Sequence, residues 1–191
     1  MNITTAGARL TYNDFLLFPE DGKRHELIDG EHYVGPSPNM NHQQIAGNLQ
    51  WLLRSYLEGH PRGRLFGAPS DVVFTCFDIV VPDLLYMSNE RASEILTEAN
   101  VQGCPELVVE IGSKSTRVRD ESIKLRLYER AGVTEYWVID PRRESIRVYA
   151  RAASGFGEPV ELTRRAGAVL STPLMPGLSV PVDEVFKDVP V

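Results

Sequence analysis

The stretch PELVVEIGSKSTRVRDESIKLRLYERAGVTEYWVIDP, residues 105–141, decides the fold of this chain. It begins and ends with short apolar runs, at 106–111 and 135–139, whose β-branched and aromatic residues predict strands. The segment between them predicts a helix that ends near Ala131, with Gly132 as its C-cap. A crossover of this length joins parallel, neighbouring strands. We therefore expect an α/β fold with a mixed central β-sheet flanked by helices.

Elements on either side complete this predicted core. Upstream, Asp29-Gly30 between short apolar runs predicts a tight hairpin over 25–34. A helix is predicted over 41–57, because apolar residues recur there every three or four positions. Downstream, a turn at 140–143 predicts a second hairpin. The remaining predicted elements are a short helix that begins at Thr11, strands at 71–77 and 79–87, a short exposed helix within 88–105, a strand at 145–150 and a helical turn at 182–186.

The composition is that of an ordinary globular protein, with 191 residues, 42% of them hydrophobic and 24% charged. This length predicts a single domain over residues 1–191. Neither Cys76 nor Cys104 belongs to a C-x-x-C motif, which favours a reduced, cytoplasmic setting. The sequence shows no signal peptide and no apolar run of the ~20 residues that a membrane helix needs, so we expect no membrane partner.

The net charge of −6 argues against a long, nonspecific nucleic-acid groove, because such grooves carry an excess of basic residues. The charge is unevenly distributed along the chain. Residues 114–151 contain ten basic and six acidic side chains, an excess of four positive charges, so the remainder has an excess of ten negative charges. Two interpretations stay open for this stretch: a basic face that meets a phosphate, or a solvated helix and hairpin surface.

Two carboxylates interrupt apolar runs that predict buried strands: Asp83 within residues 79–86 and Glu110 within residues 107–111. An ionised carboxylate is costly to bury unless a metal ion, a cation or hydrogen bonds compensate its charge. Glu110 has a simpler alternative explanation, a solvated strand face, because Glu106 lies four residues earlier on the same face of the strand.

The residues around these carboxylates carry a more specific signal. A Pro-Asp pair on one strand, an acid on the next apolar strand and a nearby lysine resemble the PD-(D/E)xK nuclease pattern. Four stretches resemble the bacterial Uma2 (Uma-two) family of restriction-endonuclease-like proteins: residues 25–53, VVPDLLYM at 80–87, residues 105–141, and TPLMPGLSVPVDEVF at 172–186. The resemblance extends from about Leu10 to Phe186. It implies the restriction-endonuclease-like α/β fold.

Transferred residue by residue, the resemblance makes Asp83 and Glu110 the ligands of a Mg²⁺ or Mn²⁺ ion, since hard cations bind carboxylate oxygens. The chain departs from the nuclease pattern at Gly112, where the pattern places its lysine. The resemblance moves this lysine to the following helix, at Lys124, which can there lean over the sheet edge beside Glu110. A surface lysine paired to a helix neighbour is the alternative, and Lys114 is the alternative catalytic lysine.

Further residues match the family near this site. Glu26 corresponds to an acid of the opening motif and is a candidate third catalytic carboxylate, with an ordinary hairpin acid as the alternative. His42 matches a recurrent histidine near the start of a helix, where it either binds an anion or orders a loop. Ser113, Ser115 and Thr116 offer either phosphate-binding hydroxyls or helix caps.

Together these features favour a Mg²⁺-dependent DNA endonuclease in which Asp83, Glu110 and Lys124 converge in one cleft that Glu26 also approaches. Without metal, we expect the pKa of the deeper carboxylate above its usual value, because burial and a like charge both oppose ionisation. The acidic net charge favours the alternative, a catalytically inactive nuclease-like binding or regulatory module, with a component of a mobile element left open. DNA and a second copy of the chain, in a homodimer, are the expected partners.

Overall fold

The structure, a computed structural model, describes residues 9–35, 37–112 and 119–189, with the backbone alone at 119–121. In its first part the helices and strands are α1 (Tyr12–Phe15), β1 (Arg24–Ile28), β2 (Glu31–Gly35), α2 (Met40–Gly59), β3 (Gly63–Gly67), β4 (Val72–Thr75), β5 (Asp78–Val80), β6 (Leu84–Ser88), α3 (Asn89–Ile95), β7 (Val101–Gln102) and β8 (Leu107–Ile111). After a π-helical turn (Arg119–Lys124) they are α4 (Leu125–Ala131), β9 (Glu135–Asp140), β10 (Ser145–Ala152), β11 (Gly155–Phe156), β12 (Val160–Thr163), a 3₁₀ turn (Arg164–Ala166), β13 (Val169–Thr172), β14 (Met175–Pro181) and α5 (Val182–Val185).

The predicted Asp-Gly hairpin is present at the start of a five-stranded sheet. β1 and β2 pair in antiparallel orientation, and Asp29 (φ 55°) and Gly30 (φ 76°) adopt the left-handed conformations that such a turn requires. β1 also pairs with β5, and the strand order of this sheet is β2-β1-β5-β4-β7.

The central sheet contains the crossover that the sequence predicts. β8 and β9 pair in parallel, with Glu110 opposite Val138, whereas β6 pairs with the other side of β8 in antiparallel orientation. The strand order is β11-β10-β9-β8-β6-β3, with β12 also paired to β10. The sheet is therefore mixed, and with its flanking helices it confirms the expected α/β class.

Different elements cover the two faces of the central sheet. The odd-numbered residues of β8 pack with the buried face of α2, formed by Ile45, Leu49 and Leu53, and with α5. Val108 points to the opposite face, where it packs with Leu127 and Tyr128 of α4 and with residues of the five-stranded sheet. Because strand residues alternate between faces, Glu110 lies on the same side as α4.

One predicted element is wrong in a way that matters for the site. The apolar run 79–87 was expected as one strand, but the structure ends β5 at Val80 and begins β6 at Leu84, and the two strands belong to different sheets. Pro82 has no N–H to donate to a strand ladder, so the chain leaves one sheet and enters the other there. Asp83 consequently lies at a junction between the two sheets and not within a strand.

The helices differ from expectation in detail. The predicted crossover helix begins with a π-helical turn and ends at Gly132, whose φ of 94° is the predicted left-handed cap. The short helix expected in 88–105 is α3, but it is not simply exposed, because Ala92 and Ile95 are buried. Among the described residues, no helix has both the length and the apolar character needed to cross a bilayer.

Candidate active site

Four segments bring charged side chains into the space between the two sheets. Glu26 comes from β1, Asp83 from the junction before β6, Glu110 from β8, and Lys124 from the last position of the π-helical turn. All four residues are buried, with 2% to 4% of their surface exposed. Charged residues are rarely buried to this degree without partners, so their contacts define the site.

Lys124 joins two of the carboxylates. Its Nζ atom lies 2.8 Å from Oε1 of Glu26 and 2.8 Å from Oε1 of Glu110, and it donates to both. The alternative of a surface lysine is wrong, since Lys124 is 2% exposed. Glu110 is likewise 4% exposed, which overturns the interpretation of a solvated strand face.

Tyr128 fixes Glu110 from one helical turn beyond Lys124, because residues four apart share a helix face. Its hydroxyl donates to Oε1 of Glu110 at 2.6 Å. Burial, and then the negative charge of Glu110, raise the pKa of Tyr128 well above its usual value, so the hydroxyl stays protonated and remains a donor.

Glu26 is also tied to the junction that carries Asp83. The backbone N–H of Val81 donates to Oε1 of Glu26 at 3.0 Å. The same carboxylate oxygen therefore receives donors from the junction and from Lys124, which links β1 to both. The alternative of an ordinary hairpin acid does not fit a residue with 2% exposure and these partners.

Asp83 has its own set of donors. Arg24 Nη1 lies 2.5 Å from Oδ1, while His42 Nε2 lies 3.0 Å from Oδ2 and the backbone N–H of Ile111 donates to Oδ2 at 2.7 Å. Burial raises the pKa of Asp83, but the His42 ring, the Arg24 guanidinium and the Ile111 N–H outweigh it and hold this pKa below its usual value. The expectation of a raised pKa for a deep carboxylate is therefore wrong for Asp83.

The contacts of Asp83 and those of Lys124 are linked through two backbone N–H groups. Ile111 N–H, which binds Asp83, belongs to the peptide that follows Glu110, and Val81, which binds Glu26, lies two residues before Asp83. Lys124 thus brings Glu26 and Glu110 together directly, whereas Asp83 adjoins them through the backbone. The described contacts place both Asp83 and Lys124 beside Glu110, Asp83 through the Ile111 N–H and Lys124 through its ammonium group.

Sequence reasoning missed Arg24 and did not anticipate the partner of His42. Arg24 lies two residues before Glu26, so period-two alternation places both on one face of β1, and this spacing was the available signal. His42 was expected to bind an anion or order a loop, and its ring contacts the Asp83 carboxylate on the segment between β5 and β6. Ser113, Lys114, Ser115 and Thr116 lie outside the described residues.

Both cysteines are free thiols, as expected. Cys76 is exposed and Cys104 is half-buried, and burial raises the pKa of Cys104 to about 11. That thiol is therefore protonated near neutral pH, which is a poorly nucleophilic state.

The carboxylates of the site are oxygen donors of the kind that a divalent cation binds. Among the described parts of the chain, no three His, Cys, Asp or Glu side chains are grouped as metal ligands. The donors nevertheless fit a hard cation, because Glu26 and Glu110 already converge on one positive charge and Asp83 binds the neighbouring peptide.

A family profile and two solved structures resemble this chain. The profile, Uma2, described as "Putative restriction endonuclease", matches residues 12–183. A crystal structure of "a putative nuclease belonging to DUF820" from Anabaena variabilis has a TM-score of 0.78 at 20% identity, covering 93% of this chain and 97% of that one. This likeness shows the fold.

A second structure is more distant. The type IIG restriction endonuclease BpuSI has a TM-score of 0.41 at 14% identity, covering 74% of this chain and 15% of that protein. No curated protein matches the chain.

Proposed function

This chain belongs to the Uma2 family of restriction-endonuclease-like proteins, and from that membership we propose that it is a divalent-metal-dependent DNA endonuclease. The reaction is hydrolysis of a phosphodiester: a water oxygen bonds to phosphorus, the bond to the leaving sugar oxygen breaks, and that oxygen takes a proton. The observation that carries the proposal is Lys124, buried at 2% exposure between Glu26 and Glu110 at 2.8 Å from each.

Each residue of the site has a part in this chemistry. Asp83 and Glu110 would hold Mg²⁺ or Mn²⁺, which when bound polarises a phosphoryl oxygen and acidifies water. Lys124 supplies positive charge for the nonbridging phosphate oxygens, and such a fixed charge acts strongly in a buried site. Glu26 orients Lys124, and Tyr128 holds Glu110 in place through its hydroxyl.

The local charge supports a need for metal before DNA binds. Among the side chains that the structure describes, and with His42 counted as neutral, Asp83, Glu110 and Glu26 bring three negative charges and Arg24 and Lys124 two positive ones, a sum of −1 that opposes the approach of a phosphodiester. A divalent cation changes this local charge to +1.

The test of the proposal is cleavage of single-stranded, duplex and branched DNA with Mg²⁺ or Mn²⁺ by the wild type and by Lys124→Met. We expect the substitution to lower the rate by ~10²–10³, the usual effect of removing one preorganised charge contact, while Mn²⁺ binding is retained. Lys187→Met is the control, because Lys187 is an exposed lysine that pairs with Glu184, and this variant should cleave as the wild type does.

The outcome also separates the alternative function. The net charge of −6 favours a nuclease-like module that binds without cleaving. Equal trace cleavage by the wild type and Lys124→Met, both folded by circular dichroism, would contradict the enzyme and favour that module.

Nuclease folds of this kind often cut two strands with two subunits, and the described part of this chain carries one cluster of the kind above. We therefore include a homodimer in the proposal. Light scattering at assay concentration measures its mass, and a monomer that still cuts both strands at one position would remove this part of the proposal.

A further inference from the structure

Arg24 occupies the Asp83 oxygen that the other donors leave open. His42 and the Ile111 N–H both bind Oδ2, whereas Arg24 Nη1 lies 2.5 Å from Oδ1. A cation that uses Asp83 as a ligand must therefore share Oδ1 with the guanidinium or take its place.

Of the three donors, Arg24 is the one best able to move. The Ile111 N–H is part of buried strand β8, and the His42 side chain is 12% exposed on α2. The Arg24 side chain is 25% exposed, is long and flexible, and comes from the first residue of β1. It can leave Asp83 by rotating about its own side-chain bonds, without any change in the strands.

The charge of Arg24 favours its release from Asp83 once a cation binds there. A guanidinium does not lose its proton in proteins, so it cannot relieve repulsion from a nearby divalent cation by becoming neutral. Once a cation binds Asp83, the guanidinium gains by pairing with a different anion. Its planar pair of N–H groups matches two oxygens of a phosphate.

The position of Arg24 places it on the open side of the site. Arg24 and Glu26 share one face of β1, but Glu26 is 2% exposed and deep beside Lys124, whereas Arg24 reaches solvent. A polymer such as DNA can meet the site only from the solvent side, where the guanidinium lies.

We propose that Arg24 is the counter-ion of Asp83 when the site holds no metal, and the ligand of a DNA phosphate when metal is bound. This inference rests on the proposed function, because it uses the same metal and substrate. It assigns to Arg24 a coupling role: metal binding releases the guanidinium, and the released guanidinium raises the affinity for DNA. Coupling of this kind is reciprocal, so DNA must raise the affinity for metal by the same factor.

Arg24→Gln gives two effects of opposite sign. Removal of the competing positive charge should raise Mn²⁺ affinity, measured by calorimetry without DNA, by about tenfold, a typical coupling between two sites. The affinity for a fluorescein-labelled duplex in Ca²⁺, measured by anisotropy, should fall by about tenfold. If the guanidinium only positioned Asp83, Mn²⁺ affinity would fall in this variant. That result would overturn the proposal.

The matched control is Arg130→Gln. Arg130 pairs with Asp78 at 2.6 Å, as Arg24 pairs with Asp83, but it lies outside the cluster of Glu26, Glu110 and Lys124. Neither affinity should change in this variant. Arg24→Lys restores a positive charge without the planar pair of N–H groups, so it should bring Mn²⁺ affinity most of the way back to the wild-type value and DNA affinity part of the way; equal behaviour of the Lys and Gln variants would overturn the proposal.

The same measurements on the wild type separate this inference from the proposed function. A wild type that binds neither Mn²⁺ nor DNA would overturn the proposed function and the inference with it. A wild type that binds both, with unchanged affinities in Arg24→Gln, would overturn the role of Arg24 and leave the nuclease proposal standing.

Discussion

The contacts of Lys124 are better explained by the placement of a charge than by stability. Its ammonium group compensates two buried carboxylates from two different sheets, Glu26 and Glu110. A buried ion pair of this kind adds little net stability over an apolar core, but loss of one partner leaves an uncompensated buried charge. Such an arrangement is a poor way to hold a fold together and a good way to keep a charge in a fixed place.

A buried acid outside the site offers a contrast at the same scale. Glu135 is 3% exposed, and its Oε2 accepts a hydrogen bond from Trp137 Nε1 at 2.9 Å. Burial raises the pKa of Glu135, an effect that its hydrogen bonds only partly oppose. The folded state therefore favours the protonated acid, and the stability that this group contributes at low pH is lost as pH rises through its folded-state pKa.

We predict that Glu135→Gln stabilises the protein at pH 7 by ~0.5–2 kcal/mol, the usual range for a stabilising substitution. The amide keeps an oxygen for Trp137 and removes the buried charge. Chemical denaturation at pH 7 and at pH 4 measures the difference, which should shrink at the lower pH because the wild-type acid becomes protonated. Equal or lower stability of the variant at pH 7 would contradict this account of Glu135.

The helix that carries Tyr128, α4, ends at a glycine cap in the left-handed conformation. Gly132 caps α4 at φ 94°, and a Cβ there would meet no atom within 4 Å. A left-handed conformation costs a residue with a side chain roughly 1–2 kcal/mol. The effect of adding a methyl group is therefore a matter of backbone conformation alone.

Two alanine substitutions should consequently have opposite effects on thermal unfolding. Gly132→Ala should destabilise by about 1 kcal/mol through its left-handed backbone. Gly47→Ala, inside α2 and also with no atom within 4 Å of its Cβ, should stabilise by about 0.5–1 kcal/mol, because alanine is the better helix former. A melting temperature that moves in the same direction for both variants would contradict the assigned backbone conformations.

Sequence predicted those elements whose signals are local. The Asp29-Gly30 hairpin, the apolar face of α2, the parallel crossover and the Gly132 cap all follow from patterns within short, continuous stretches of sequence. The break after Val80 was missed because the run on both sides of Pro82 is continuously apolar. Burial in two different sheets gives the same pattern as burial in one.

The site was predictable to a smaller extent. The placement of Lys124 beside Glu110 was implied by the resemblance to the Uma2 family, and helix geometry alone only allowed it. The contact of Arg24 with Asp83 joins residues 59 apart and depends on how the two sheets pack. The residue patterns of β1 and of the junction before β6 give no sign of this contact.

At the scale of the whole molecule, the site lies where the two sheets meet. Glu26 belongs to the five-stranded sheet and Glu110 to the central sheet, and Asp83 lies on the segment that passes from one sheet to the other. The ion pairs of the site are therefore also contacts between sheets. A substitution within the site must be compared with one that disturbs the sheets equally, so that lost activity is not confused with lost structure.

Asp78 supplies that comparison for Asp83. Asp78 is the first residue of β5 and Asp83 follows that strand; both are buried, at 5% and 4% exposure, and each pairs with an arginine, Arg130 and Arg24 respectively. Only Asp83 adjoins Glu110 through the Ile111 N–H. The conversion of either aspartate to asparagine removes a buried charge from a similar ion pair.

The most direct measurement is the single-turnover rate of DNA cleavage in Mn²⁺ for the wild type, Asp83→Asn and Asp78→Asn, at a temperature where all three are folded. The account predicts that Asp83→Asn lowers the rate by at least ~10², because a neutral amide no longer balances the cation, while Asp78→Asn stays within a fewfold of the wild type. Equal rates for the wild type and Asp83→Asn, or equal losses in both variants, would contradict the assignment of this cluster as a nuclease active site.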